Sequence, residues 1–146
     1  MFWEVYAIMQ NIAEQFRELA HTRQLPTPNE VAGHVAACCG VQPELIFTKT
    51  RKREIAEARQ LLSTLLKFGL KLSAAQVGIM VGNFDHATVL HGINQVSIRY
   101  QVYPKYRDSV DNMIEHLFNA DQEHIKARII DPHLDRKHTY AKLEVA

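Results

Sequence analysis

The chain has 146 residues, of which 47% are hydrophobic and 23% are charged, and its formal net charge is +1 at pH 7. These values are typical of a globular domain and exclude a chain that is disordered throughout. The net charge is too small to attract a polyanion, so any nucleic-acid binding must depend on where the charges lie along the chain.

An amphipathic helix is the first predicted element, and it covers residues 2–20 within an N-terminal segment of residues 1–23. Apolar side chains recur there at spacings of three and four, which is the period of one helix face. We expect this face to pack on the chain's own domain. A homodimer through this helix is the alternative, because the same face has a short heptad pattern formed by Phe2, Val5, Met9, Ile12, Phe16 and Leu19.

Residues 28–118 predict an all-α domain of several helices, because helical apolar spacing alternates with caps and breakers. The predicted helices are one opened by Thr27 or Asn29 and ended by Gly40, a single turn at residues 43–47, and helices at 55–68, 74–81, 85–101 and from Pro104 onward. Residues 119–146 form a charged extension, for which we expect a weak helix near Ile125 and Ile129 and then a tail. No strand and no internal repeat is predicted.

The segment Lys49-Thr50-Arg51-Lys52-Arg53 places four positive charges in five residues. A solvated helix start is the simplest interpretation of such a run. However, each cation near a helix N-terminus is disfavoured by about 0.3–1 kcal/mol in the field of the helix dipole. We therefore predict a basic loop that contacts phosphates or enters the minor groove of DNA.

Residues 77–93 have the pattern of a helix-turn-helix, which directs its second helix into the major groove of DNA. An apolar helix end is followed by a Gly82-Asn83 turn and then by Asp85, which can cap the next helix. Capping alone would explain Asp85. However, His86 and Thr88 share the exposed first turn, where they can reach base edges, and His91 lies one turn further on.

The chain has no enzyme motif: neither a nucleotide phosphate loop, nor a dinucleotide-binding glycine motif, nor a serine or cysteine nucleophile motif. His86 and His91 are five residues apart, which is off helical register, so we predict no metal and no cofactor. We expect Cys38 and Cys39 to lie in the core. Two cysteines, no secretory leader and no membrane-spanning run predict a cytoplasmic protein with no membrane partner.

Three segments together resemble a known family, namely residues 41–47, 49–60 and 77–91, in this order and at this spacing. From about Pro28 to Phe118 the chain resembles the C-terminal DNA-binding domain, domain IV, of the bacterial chromosomal replication initiator DnaA. The resemblance implies a TrpR-like helix-turn-helix fold whose basic loop and second helix bind a short asymmetric site in double-stranded DNA. Because the phosphate loop of the family's ATPase module is missing, we expect no nucleotide hydrolysis.

The resemblance also assigns roles to single residues. Arg51 matches the arginine that enters the minor groove, while Asp85 and His86 match residues that read bases. Positions that hold the DNA backbone or support the reading helix correspond to Arg53, Arg59, Gln60, Lys67, Thr88 and His91. The complete predicted DNA-binding set is Lys49, Arg51, Lys52, Arg53, Arg59, Gln60, Lys67, Asp85, His86, Ala87, Thr88 and His91.

Two positions depart from the family pattern. Phe84 stands where the family has an arginine, and Ala87 stands where the family has a threonine. One good base contact is worth about 1–3 kcal/mol of discrimination, so these departures predict an altered or relaxed preference for the DNA site.

Taken together, these patterns predict a non-enzymatic protein that binds double-stranded DNA with sequence selectivity. The expected role is replication initiation or its regulation, in association with the nucleoid. Two alternatives stay open on sequence alone. The DnaA-like fold is retained as a protein-interaction or dimerisation module, or the chain is the DNA-binding part of a transcription regulator or a mobile-element protein.

Overall fold

A computed structural model describes residues 4–12 and 25–133, and these residues contain helices, turns and no strand. Helix α1 covers residues 4–12. The remaining elements in chain order are α2 (Pro28–Cys39), α3 (Pro43–Ile46), α4 (Arg53–Gly69), α5 (Ala74–Met80), α6 (His86–Val102), α7 (Pro104–Leu117), a short 3-10 turn (Asn119–Asp121) and α8 (Gln122–Ile130). The all-α architecture predicted from the sequence is confirmed.

Helix α2 begins and ends where its capping residues require. The Thr27 side chain accepts a hydrogen bond from the Glu30 backbone N–H at 3.2 Å, so Thr27 and not Asn29 is the N-cap. Gly40 ends the helix in the left-handed conformation with φ of 69°, which favours glycine. Cys38 and Cys39 lie in the last turn, beyond the buried stripe of the helix, and both are exposed. The prediction that they lie in the core is wrong.

Helix α4 is the centre of the domain, since α2, α3, α5, α6 and α8 all pack against it. Its apolar face includes Leu62 and Leu65, which are fully buried. Burying one such side chain stabilises the fold by about 1.5–3 kcal/mol relative to leaving it in water. Helix α6 makes the most extensive contact with α4, and it thereby fixes the helix-turn-helix to the core.

The hydrophobic core continues beyond Phe118, the residue at which the sequence analysis ended the predicted domain. Helix α8 packs on α4, α6 and α7, and its Ile125 and Ile129 are fully buried. At its C-terminal end the Ile130 carbonyl accepts a hydrogen bond from the Gln101 side chain of α6 at 3.2 Å. Two apolar residues one helical turn apart are a weak signal in sequence, but they are enough to fill a groove between three helices. Residues 134–146 of the predicted extension lie outside the described residues.

Helix α1 leaves its apolar face exposed. All the residues of the helix are exposed, and the exposed fractions of Val5, Tyr6, Ile8, Met9 and Ile12 lie between 50% and 64%. Our expectation that this face packs on the chain's own domain is therefore not met over residues 4–12. The rest of the predicted N-terminal helix lies outside the described residues.

Candidate DNA-binding interface

Helices α5 and α6 form a helix-turn-helix whose turn is closed by backbone geometry. Ser73 and Gln76 form a reciprocal capping box at the start of α5. Gly82 and Asn83 then adopt positive φ angles of 121° and 61° and reverse the chain. The predicted Gly82-Asn83 turn is confirmed.

Two glycines allow the backbones around this turn to approach one another. The Phe84 N–H donates to the Gly78 carbonyl at 2.9 Å, and a Cβ atom on Gly78 would overlap the Phe84 carbonyl oxygen. A Cβ atom on Gly82 would lie 2.5 Å from the Phe47 carbonyl oxygen. The turn therefore packs directly on the segment that leads into the basic loop.

The first turn of α6 presents a polar surface to solvent. Asp85 is the N-cap, and its Oδ1 accepts the Thr88 backbone N–H at 2.8 Å. Hydrogen bonds from the Thr88 side chain and backbone lower the pKa of Asp85 below its usual value. Asp85, His86, Ala87 and Thr88 are all exposed, and His91 is exposed one turn later. A fixed carboxylate, an imidazole, a methyl group and a hydroxyl thus occupy the helix end that a major groove would receive.

The basic loop, residues 47–52, is exposed at its three cations, Lys49, Arg51 and Lys52. Arg53 belongs to α4 and not to the loop, because the helix begins two residues earlier than the apolar pattern predicts. The Arg53 side chain pairs with Glu57 at 3.1 Å, one turn along the helix, and remains exposed. Four positive side chains therefore face solvent next to the start of α4.

Arg59 lies beneath the basic loop and is only 8% exposed. Its Nε donates to the Ile46 carbonyl at 2.7 Å, one terminal nitrogen donates to the Thr48 carbonyl, and both terminal nitrogens contact the Thr50 carbonyl at 3.4 Å. Burial lowers the pKa of the guanidinium. One side chain thus satisfies three carbonyls of the chain segment that carries Arg51, which shapes the loop from below.

A cleft of about 80 Å³ separates α4 from the beginning of α6. Among the predicted site residues, the structure brings four together at this cleft: Arg59, Gln60, Thr88 and His91. Lys67 is not among them, since it lies two turns beyond Arg59, about 12 Å further along α4 at 1.5 Å per residue. The Gln60 side chain faces α6, where it accepts a hydrogen bond from Arg99.

Arg99 is a residue of this region that the sequence analysis missed. It is half-buried on α6, and its guanidinium contacts both Gln60 and the ring of Tyr106, whose centroid is 5.9 Å away. A signal was present in the sequence, since Arg99 follows Gly92 by seven residues and so lies on the same helix face. Because Gly92 packs against Gln60, an arginine two turns later on that face also points towards α4.

The comparison with protein families also identifies a helix-turn-helix in this part of the chain. Residues 28–96 match the family described as the bacterial dnaA protein helix-turn-helix. This segment therefore resembles the DnaA helix-turn-helix domain. The match includes the basic loop, Arg59, the turn and the first two-thirds of α6. The matched module is a DNA-binding helix-turn-helix and not a catalytic one.

The curated relatives that this chain matches are also DnaA proteins. The chain is 33% identical over 87 residues to the chromosomal replication initiator protein DnaA of Bacteroides fragilis, an alignment that covers 60% of this chain and 18% of the relative. It is 37% identical over 70 residues to DnaA of Lachnoclostridium phytofermentans, covering 48% of this chain and 16% of that protein. The chain thus spans less than a fifth of the length of these relatives. No solved structure matches it.

Other kinds of site find no support in the described part of the chain. Over residues 4–12 and 25–133 there is no group of three or more histidine, cysteine, aspartate or glutamate residues placed to hold a metal ion. In the same residues, no helix is both long enough and apolar enough to cross a membrane.

Proposed function

We propose that this protein binds double-stranded DNA with sequence selectivity through the basic loop and the first turn of α6. One observation carries the proposal. The ring centroid of Phe84, the residue directly before the α6 cap, is 5.6 Å from the Lys49 ammonium. The exposed cations and the exposed polar helix end therefore form one continuous surface, as a reader of both the backbone and the bases needs.

The basic loop and the first turn of α6 would contact different parts of a duplex. The cations of the loop would neutralise phosphates, with Arg51 entering the minor groove, while α6 enters the adjacent major groove. His86 can donate to or accept from a base edge. Asp85 can accept from the amino group of cytosine. Ala87 offers a methyl group to thymine.

The relatives are named chromosomal replication initiator proteins, and we infer a role for this chain in replication initiation or in its regulation, on the DNA of the nucleoid.

The experiment that tests DNA binding is fluorescence anisotropy over a salt titration with two duplexes. One duplex is selected by the protein from a random pool, and the other is a scrambled version of it. Tighter binding to the selected duplex, with affinity falling steeply as salt rises, is the expected result. Equal binding to both duplexes would reject sequence selectivity, and no binding at low salt would reject the DNA-binding function.

Alanine substitutions of Arg51 and His86 are expected to change duplex binding in different ways in that assay. Arg51→Ala should weaken binding to both duplexes and flatten the salt dependence, because fewer counterions are released, with a slope change of about one unit. His86→Ala should weaken binding to the selected duplex by about tenfold, and hardly at all to the scrambled one.

Lys105→Ala is the control for this pair, because it removes an exposed charge from α7, outside the proposed surface. We expect it to change neither affinity nor slope. An unchanged slope for Arg51→Ala would remove Arg51 from the interface. Equal weakening of both duplexes by His86→Ala would show that His86 does not read bases.

A second function is favoured by the exposed apolar face of α1. We propose that this face joins two copies of the chain, since an exposed apolar stripe on a helix is stabilised when another surface covers it and removes it from water. The test is light scattering coupled to size exclusion, with Val5, Met9 and Ile12 each changed to serine in one variant. The intact chain should be a dimer and the variant a monomer, while the polar exchange of Gln10 and Asn11 for serine should leave the dimer intact. A monomeric intact chain at high concentration would reject the homodimer.

A further inference from the structure

The aromatic ring of Phe84 lies at the junction between the helix-turn-helix and the basic loop. The Arg59 guanidinium carbon is 4.7 Å from the ring centroid, and the Lys49 ammonium is 5.6 Å from it. Both distances are within the range in which a cation is attracted to the face of an aromatic ring. Phe84 is half-buried, and its backbone N–H donates to the Gly78 carbonyl, so the turn fixes the backbone from which the ring projects.

Through Arg59, this ring is linked to the backbone of the loop. The same guanidinium that faces Phe84 donates to the carbonyls of Ile46, Thr48 and Thr50. Lys49 lies between the last two of these and faces the ring from the loop side. A single aromatic ring thus contacts one loop cation directly and, through Arg59, the backbone on either side of it.

We propose that Phe84 is a positioning residue that locks the basic loop against the start of α6. The loop that carries Arg51 and the helix that carries His86 then reach the duplex as one rigid unit. Such a unit loses less conformational freedom on binding than two independent halves would. The part of this inference that concerns DNA rests on the proposed function, whereas the locking of the loop does not.

The charge of the neighbours explains why an aromatic residue suits this position. An arginine here would be a third cation beside Arg59 and Lys49, and both of them would repel it. A phenyl ring attracts both of them instead. The ring at this position therefore stabilises the loop, whereas an additional cation there would not.

Limited digestion with trypsin tests the lock without DNA, because the cleavage sites are the loop residues Lys49, Arg51 and Lys52 themselves. Phe84→Leu keeps an apolar side chain and removes the ring, and Phe84→Tyr keeps the ring. We expect initial cleavage in the loop to be about fivefold faster for Phe84→Leu than for the unchanged chain, and unchanged for Phe84→Tyr. Cleavage after Lys67, within α4, reports global unfolding and should stay slow in all three proteins.

Duplex binding by the same variants supplies the second readout. Phe84→Leu should weaken binding to the selected duplex about fivefold, Phe84→Tyr should restore it, and the effect of Phe84→Leu should shrink when Arg51 is already alanine. The proposal would be overturned if Phe84→Leu left both loop cleavage and duplex binding unchanged. It would also be overturned if the loop of Phe84→Tyr were cleaved as fast as that of Phe84→Leu. If the unchanged chain binds no duplex, the proposed function fails, and the digestion still decides whether Phe84 locks the loop.

Discussion

Replacing Arg59 by methionine is expected to lower the free energy of unfolding by about 2–3 kcal/mol, because one buried and two part-buried carbonyls would lose a charged donor. Methionine has a similar length and can fill the space, but it donates no hydrogen bond. The carbonyls of Ile46, Thr48 and Thr50 would then have to turn towards water, and the loop would move with them. Urea unfolding followed by circular dichroism measures the loss.

The same substitution should weaken duplex binding about tenfold or more, although Arg59 itself is buried, because the loop cations lose their fixed positions. Arg53→Met is the matched control for stability. Arg53 is an exposed arginine whose pairing with Glu57 is worth about 0–1 kcal/mol, as is usual at a surface. If Arg59→Met unfolds no more easily than Arg53→Met, the carbonyl contacts of Arg59 contribute nothing to stability.

Gly78→Ala is expected to be even more damaging, with a loss of about 3 kcal/mol in the free energy of unfolding. The added methyl group would overlap the Phe84 carbonyl oxygen, which is backbone and cannot move aside as a flexible side chain can. Helices α5 and α6 would have to separate, so binding to the selected duplex should fall with stability.

Gly33→Ala is the control for this substitution, since it adds the same methyl group to a helix interior with no atom within 4 Å. There it should raise stability by up to about 1 kcal/mol, because alanine loses less backbone freedom than glycine in a helix. Thermal unfolding of the two variants side by side measures both effects. Equal stability of the two would show that α5 and α6 can shift apart without cost.

The features that sequence could predict are those fixed by local chemistry. Thr27, Ser73 and Asp85 cap helices because their side-chain oxygens accept backbone N–H groups, and each does so here. The Gly82-Asn83 turn follows from the φ angles that these two residues tolerate. The surface of the candidate site was predictable for the same reason, since its polar residues follow directly from a turn and a cap.

The features that sequence could not predict depend on distant partners. An arginine eight residues after Arg51 in a basic segment looks like another phosphate ligand, and only the position of the loop above α4 makes Arg59 a buried support. Ile125 and Ile129 look like two isolated apolar residues until α4, α6 and α7 form a groove for them. The exposure of Cys38 and Cys39 has the same origin, because the helix period does not tell where a neighbouring surface ends.

The packing of α8 has a consequence for the order of events during synthesis. The groove between α4, α6 and α7 is filled only when Ile125 and Ile129 arrive, and the far end of α6 is tied to Ile130 through Gln101. A nascent chain that ends shortly after α7 therefore holds an open apolar groove behind its helix-turn-helix. The core of this domain can therefore close only after the last of these residues has left the ribosome, and until then the incomplete domain exposes an apolar surface that is prone to aggregation.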